Sequence, residues 1–222
     1  MFVSALPFDG APAQRQRAVG RISFAATAFD GRTRPMRIEE SGSMRIRLPK
    51  GDGAGLDAVL VNTAGGIACG DRFAVEVEAQ AGTFVTVATP AAEKVYRSDG
   101  PVSHLSVKLA AGARARLDWL PQETILFDNA RLDRQLEAAI AEDARLTLIE
   151  PKAVLDLACH ISSPLFLPPQ QWLFLMVPVS KGNPTHRRFR STQCLRANYD
   201  AQASSNFLLR PYGHKVSFHH NA

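Results

Sequence analysis

From Arg72 to Glu78 the chain reads Arg-Phe-Ala-Val-Glu-Val-Glu, larger apolar residues alternating with polar or small ones. That period of two is the mark of a strand with one buried face. Thr83–Ala88 and Arg145–Ile149 are rich in β-branched residues, and Met44–Leu48, Ala58–Val61 and Leu105–Leu109 read the same way. Breakers lie between them at Lys50-Gly51-Asp52-Gly53, Gln80-Ala81-Gly82, Ser98-Asp99-Gly100 and Ala111-Gly112. Leu132, Leu136 and Ile140 recur at helical spacing, yet Leu132, Arg134, Leu136, Ala138 and Ile140 also share one side of a strand. With strands on all sides, the pattern predicts a strand here too. Gln16 to Glu150 is thus expected to be all β.

Sliding the sequence against itself brings out a weak repeat. A small turn residue opens a strand that closes at a proline: Gly82 to Pro90, Gly112 to Pro121, Asp143 to Pro151. The turn residues stand 30 and 31 apart. Units of this length predict a mainly β, β-helix-like solenoid of stacked sheets with few helices, each coil burying its apolar face on its neighbour.

Composition adds a boundary. The net charge is +5 over 222 residues, with 45% hydrophobic and 21% charged residues, which excludes global disorder. Residues 1–150 carry 18 Lys and Arg against 19 Asp and Glu, whereas residues 151–222 carry 8 against 2. That last third has no glutamate, and it holds five of the six histidines and two of the three cysteines. The break predicts a β domain over 1–150 and an atypical basic region over 151–222, expected to be irregular, disordered or non-native. Cys69, Cys159 and Cys194 fit no finger or CxxC spacing, which points to a reducing compartment rather than a disulfide framework. Leu165–Val179 is too short, and too broken by Pro168 and Pro169, to span a bilayer.

Candidate chemistry is sparse. Val61-Asn62-Thr63-Ala64-Gly65-Gly66-Ile67-Ala68-Cys69-Gly70-Asp71-Arg72 is a glycine turn between strands. A phosphate loop would open a helix instead, so nucleotide binding is not expected. Asp71 at the turn exit is left as a candidate. Glu93, Lys94, Tyr96 and Arg97 crowd into five residues. On a strand, Lys94 and Tyr96 would face one way and Glu93, Val95 and Arg97 the other, giving either a solvated Glu93–Arg97 pair or a seam against a partner. Trp119, Leu126 and Phe127 read as core, with Glu123 and Asp128 as turn acids or cation ligands. His104 stands apart from any metal or catalytic pattern, His219-His220 read as a frayed end, and no nucleophile has a partner. The cluster Thr185-His186-Arg187-Arg188-Phe189-Arg190 gives weak support to nucleic-acid binding.

Three of these blocks belong together. Asn62–Ile67 with Gly70–Arg72, then Glu93–Ser98, then Trp119–Phe127 resemble, in order and spacing, the urease accessory protein UreD family, also called UreH. The resemblance runs from about Arg21 to Glu150. It implies a cytoplasmic, non-catalytic scaffold with a β-helix-like body, no tightly bound cofactor, and nickel as transient cargo. The implied partners are UreF, UreG through UreF, and the urease apoprotein, with no nucleic acid and no membrane. It also implies Asp71 and Glu150 as acids along a nickel path, with Glu93, Lys94, Tyr96, Arg97 and Glu123 as passage or partner residues. Cys69 stands where the family has glycine. After Pro151 the family's Gly-Arg and Gly-Glu pairs do not occur, so a shift of reading frame is the expectation for the tail. The competing readings are an acid–base enzyme using Asp71, Glu93 or Glu123, and a nucleic-acid binder working through the basic tail.

Overall fold

The computed structural model describes residues 16–141 and 143–152 in full, and the backbone alone of 153–155, 172–177, 187–196 and 212–220. Strand β1 (Val19–Phe29) turns back into β2 (Arg32–Gly42) through Asp30 and Gly31, at φ 51° and 69°. Two left-handed residues in a row make the type I′ turn, whose twist suits a hairpin. The shorter β3 (Met44–Arg47) pairs antiparallel with β4 (Leu56–Asn62).

Three coils follow. The first is β5 (Arg72–Ala79), β6 (Phe84–Ala88) and β7 (Glu93–Val95). The second is β8 (Ser103–Ala111), β9 (Arg116–Leu120) and β10 (Thr124–Phe127). The third is β11 (Arg131–Ile140) and the long β12 (Arg145–Leu155). Each coil lies parallel on the one before. Arg72 pairs with His104 and Phe84 with Arg116, an offset of 32 residues, while Ser103 pairs with Leu132 and Arg116 with Arg145, an offset of 29. β12 serves two faces, its start pairing with β9 and its end with β10. The stacked β-coil expected from the repeat is therefore present, and the described residues contain no helix.

The backbone of β13 (Trp172–Val177), β14 (Arg187–Arg196) and β15 (Tyr212–His220) is added antiparallel: β13 on β12, β14 on β11, and β15 on β14. This gives sheets ordered β15-β14-β11-β8-β5-β1-β2 and β3-β4-β6-β9-β12-β10-β7. The boundary expected at residue 150 falls inside β12. The side chains of the basic cluster and of His219-His220 lie outside the described residues.

The repeat is real, and two of its three turn residues, Gly82 and Asp143, are those read in the sequence, while the middle one differs. The left-handed corner residues are Gly82, Arg114 and Asp143, at φ 70°, 58° and 59°. Each corner closes with a bond across the turn, from the Thr83, Ala115 and Ala144 N–H to the Gln80, Gly112 and Ala141 carbonyls. Gly112 thus opens its turn rather than supplying the positive φ. Its glycine is needed for stacking, since a Cβ there would lie 2.7 Å from the Ala81 nitrogen of the coil before. Pro151, expected to end a strand, sits within β12.

Inward rows run straight through the coils: Ile22, Val75, Val107 and Leu136 in one, Phe24, Val77, Leu109 and Ala138 in the next. All eight are buried, facing Val85, Leu117 and Leu146 from the opposite sheet. Each large side chain so buried contributes about 1.5–3 kcal/mol of transfer free energy. The outward face of β5, β8 and β11 is charged, with Glu76 paired to Arg21 and Lys108, and His104 near Asp133. Exposed pairs of this kind keep the face solvated and add little to stability.

Candidate functional site

The interior is apolar at the corner between β5 and β6 and turns polar toward β7 and β10. Along β4 the inward residues are Ala58, Leu60 and then Asn62, which ends the strand. The Asn62 amide donates to both oxygens of Glu93 at 3.3 and 3.4 Å and to the Gly66 carbonyl at 3.1 Å. Its own oxygen accepts the Ala64 N–H at 3.0 Å, so the glycine turn is folded around Asn62. Ile67 then pairs with Val95, donating its N–H to the Lys94 carbonyl at 2.7 Å. Gly66 has φ 140°, and a Cβ on it would come within 2.6 Å of the Tyr96 ring and 2.8 Å of the Lys94 oxygen. Only glycine lets this turn press against β7.

Glu93 opens a register row that continues through Thr124 to Lys152. A second polar element enters from the opposite sheet. Arg134 occupies the inward row Gly20, Phe73, Leu105, Arg134, at the place where the other coils have an apolar side chain. Its guanidinium grips Glu150 with both arms, Nε to Oε2 at 3.2 Å and Nη2 to Oε1. The Trp119 indole N–H donates to the same Oε1 at 3.3 Å. The pair is sealed, with side-chain exposures of 8% for Arg134 and 7% for Glu150.

These surroundings set the charges. Burial pushes the Glu93 carboxyl up to about 6, against the Asn62 bond and the nearby Arg134 charge, which lower it. Burial acts upward on Glu150 as well, yet the Arg134 guanidinium, aided by Lys152 and Trp119, holds this carboxyl below the usual range. Burial lowers Lys152 to about 8, with Glu150 opposing and Arg134 reinforcing the shift. Asn62, Glu93, Thr124, Lys152, Arg134, Glu150 and Trp119 thus form one polar column through successive coils, which sit about 4.8 Å apart. Two acids, two bases and neutral donors are brought together. Among the described residues, no three His, Cys, Asp or Glu side chains form a metal cage.

The remaining candidates lie elsewhere. Asp71 is 2% exposed, and its two oxygens accept the Ala18 and Ala68 N–H groups at 2.8 and 2.7 Å. It fastens the glycine turn to the start of β1, and shares no hydrogen-bond partner with Glu93 or Glu150. Lys94, Tyr96 and Arg97 point outward, as the alternation predicts for the first two. The Tyr96 ring stacks on Phe127 at 5.4 Å, and its hydroxyl donates to the Gly65 carbonyl at 3.0 Å. Glu93 turns inward to Asn62 and does not pair with the exposed Arg97. Glu123 contributes its backbone carbonyl, which accepts the Glu93 N–H at 2.8 Å. The buried Cys69 thiol donates to Asp99 at 3.3 Å.

Sequence reasoning missed Asn62, Arg134 and Lys152 as site residues. For Arg134 the signal was present: one arginine on the strand side otherwise made of Leu132, Leu136, Ala138 and Ile140. Lys152 continues the same alternation after Leu146, Leu148 and Glu150. Asn62 lies within the glycine motif, but nothing local says that its amide will reach Glu93.

The stretch of sequence that builds this coil and its buried ion pair matches a group of accessory proteins. Residues 16–153 match the family model described as UreD urease accessory protein, and the chain belongs to that family. It is 51% identical over 141 residues to a urease accessory protein UreD of Azorhizobium caulinodans, covering 64% of this chain and 52% of the relative. A UreD of Rhodopseudomonas palustris strain BisA53 is 57% identical over 134 residues, 60% of this chain and 47% of its own. One from Xanthobacter autotrophicus is 56% identical over 138 residues, 62% of this chain and 47% of its own. The chain spans about half the length of these curated relatives. The matched stretch ends at residue 153, beside the composition break. No helix among the described residues is long and apolar enough to cross a membrane.

Proposed function

We propose that this chain is a non-catalytic scaffold for urease maturation in the cytoplasm, binding the urease apoprotein together with UreF and, through UreF, UreG. Nickel is its transient cargo, and the polar column is the route. The observation that carries this reading is the row of charged and amide groups that continues through successive coils beside the apolar core. Buried charges cost desolvation energy, and a fold with a good core does not need them for stability. Glu93 and Glu150 lie in different coils, and the donors beside them are neutral amides or cations. A borderline divalent cation meets one carboxylate at a time, held weakly enough to leave. Asp71, with both oxygens taken by backbone N–H groups, shapes the mouth of the glycine turn, and the exposed Lys94, Tyr96 and Arg97 form a partner surface beside it.

The test is co-purification of the tagged chain with UreF and urease from a common lysate, with urease nickel content measured in the presence and absence of the chain. The reading predicts a complex and higher nickel content with the chain. A chain that joins no complex and leaves the nickel content unchanged contradicts it.

A further inference from the structure

The two carboxylates of the column have different neighbours. Glu93 faces a neutral amide, with Asn62 at 3.3 and 3.4 Å. Glu150 has a guanidinium across both oxygens and an indole N–H on one of them. The place Arg134 occupies does not call for an arginine. Its register neighbours Phe73 and Leu105 are apolar, and an aliphatic side chain would fill the row without the desolvation cost of a buried charge. Lys152 brings a second positive charge to the same coil, next in the inward alternation after Glu150.

We infer that Arg134 is a specificity-determining residue: a tethered counter-cation that occupies Glu150 and keeps a divalent cation from resting there. This rests on the nickel route proposed above and gives it a mechanism for release. A bare buried carboxylate is a ligand that retains a metal ion, and a route needs sites that do not. With the guanidinium in place, an arriving divalent cation meets a like charge at contact distance in a medium far less screening than water. It passes Glu150 with the aid of one oxygen at most. Glu150 itself stays ionised, because the guanidinium outweighs the upward pull of burial. Withdrawing the guanidinium charge frees the Glu150 lone pairs in a sealed site where burial favours the protonated carboxyl, so an arriving divalent cation binds there by displacing that proton.

The experiment is nickel(II) binding to the purified full chain by equilibrium dialysis at fixed pH, with folding followed by circular dichroism. Arg134→Gln keeps a donor for Glu150 but removes the charge, and is expected to bind one nickel ion per chain at least about tenfold more tightly than the wild type. Adding Glu150→Gln to it returns binding to the wild-type level. Should Arg134→Gln fail to fold, Arg134→Lys keeps the charge but loses the fork, and a smaller gain in the same direction is expected. Folded variants that bind no tighter than wild type overturn the assignment, as does a gain that survives Glu150→Gln. Because binding is read on the chain alone, it stands apart from urease loading: tighter binding by Arg134→Gln, with urease loading that never depended on the chain, removes the route and leaves the counter-cation in place.

Discussion

Arg134 and Glu150 stand 16 residues apart in sequence, on strands of opposite sheets, and meet in the interior through two parallel hydrogen bonds. The pairing joins β11 to β12 across the open middle of the last described coil. It puts the one ion pair whose members are both buried, among the described residues, in the same cluster as Glu93 and Lys152. Burying charge here costs stability, and the consequences can be measured.

Removing one partner strands the other. Arg134→Met or Glu150→Leu alone is expected to lower the unfolding free energy by about 3–5 kcal/mol. The double change Arg134→Met with Glu150→Leu is expected to recover most of that loss, since an apolar pair of similar volume suits the flanking rows. Urea unfolding of the four proteins gives the coupling directly, and additive single losses would show that the pair is not coupled.

Glu93 gives the column a pH signature. An acid raised from 4.5 to about 6 binds its proton more tightly in the folded chain. Its contribution to stability is present in full below the lower value and is lost as pH rises through the upper one. Glu93→Gln should therefore match wild type near pH 4 and exceed it by about 1 kcal/mol at pH 7, after allowance for partial exposure. Lys152 has the opposite sense: lowered from 10.5 to about 8, it contributes fully above the higher value and loses this as pH falls through the lower. Thermal midpoints from pH 4 to 10 check both, and parallel curves for wild type and Glu93→Gln would contradict the first.

Asp71 makes a different prediction. Its carboxylate accepts two backbone N–H groups from segments far apart in sequence, Ala18 and Ala68. Asp71→Ala takes the carboxylate from both N–H groups, at a cost of about 1–3 kcal/mol. Asp71→Asn is also costly, because its amide turns a donor toward one of the N–H groups. A variant with an unchanged melting midpoint but lost urease activation would return Asp71 to the metal route.

Much of this architecture is legible from alternation, and the reasons for the misses are specific. Arg72–Glu78 and Leu132–Ile140 read as strands because a half-buried strand alternates whatever it pairs with. The three motif blocks are neighbours in space, Ile67 pairing with Val95 and Val95 with Leu126. The middle corner of the repeat is misplaced by sequence alone because Gly112 looks like a left-handed residue, whereas Arg114 holds that conformation and Gly112 serves close packing. The β1–β2 hairpin escapes the reading despite Asp30-Gly31, a strong turn dipeptide. In the site, Glu93 and Glu150 follow from the resemblance. Their donors do not, because Asn62 and Arg134 reach them across the coil, and sequence spacing carries no record of such a contact.

The outward face next to the column is testable by itself. Lys94 and Arg97 are exposed, and Tyr96 is 40% exposed with its ring braced on Phe127. Reversing both charges with Lys94→Glu and Arg97→Glu should weaken capture of UreF or urease about tenfold or more while shifting the melting midpoint little. Undiminished capture moves the partner surface to another face.

The most direct measurement of the proposed route is nickel bound to urease when it matures beside the Glu93→Gln chain. The substituted side chain can keep a hydrogen bond to Asn62 while losing the carboxylate a passing cation needs. The account predicts an intact complex with urease and UreF, and nickel content reduced severalfold relative to wild type. Full nickel loading through a folded, complexed Glu93→Gln chain would contradict it.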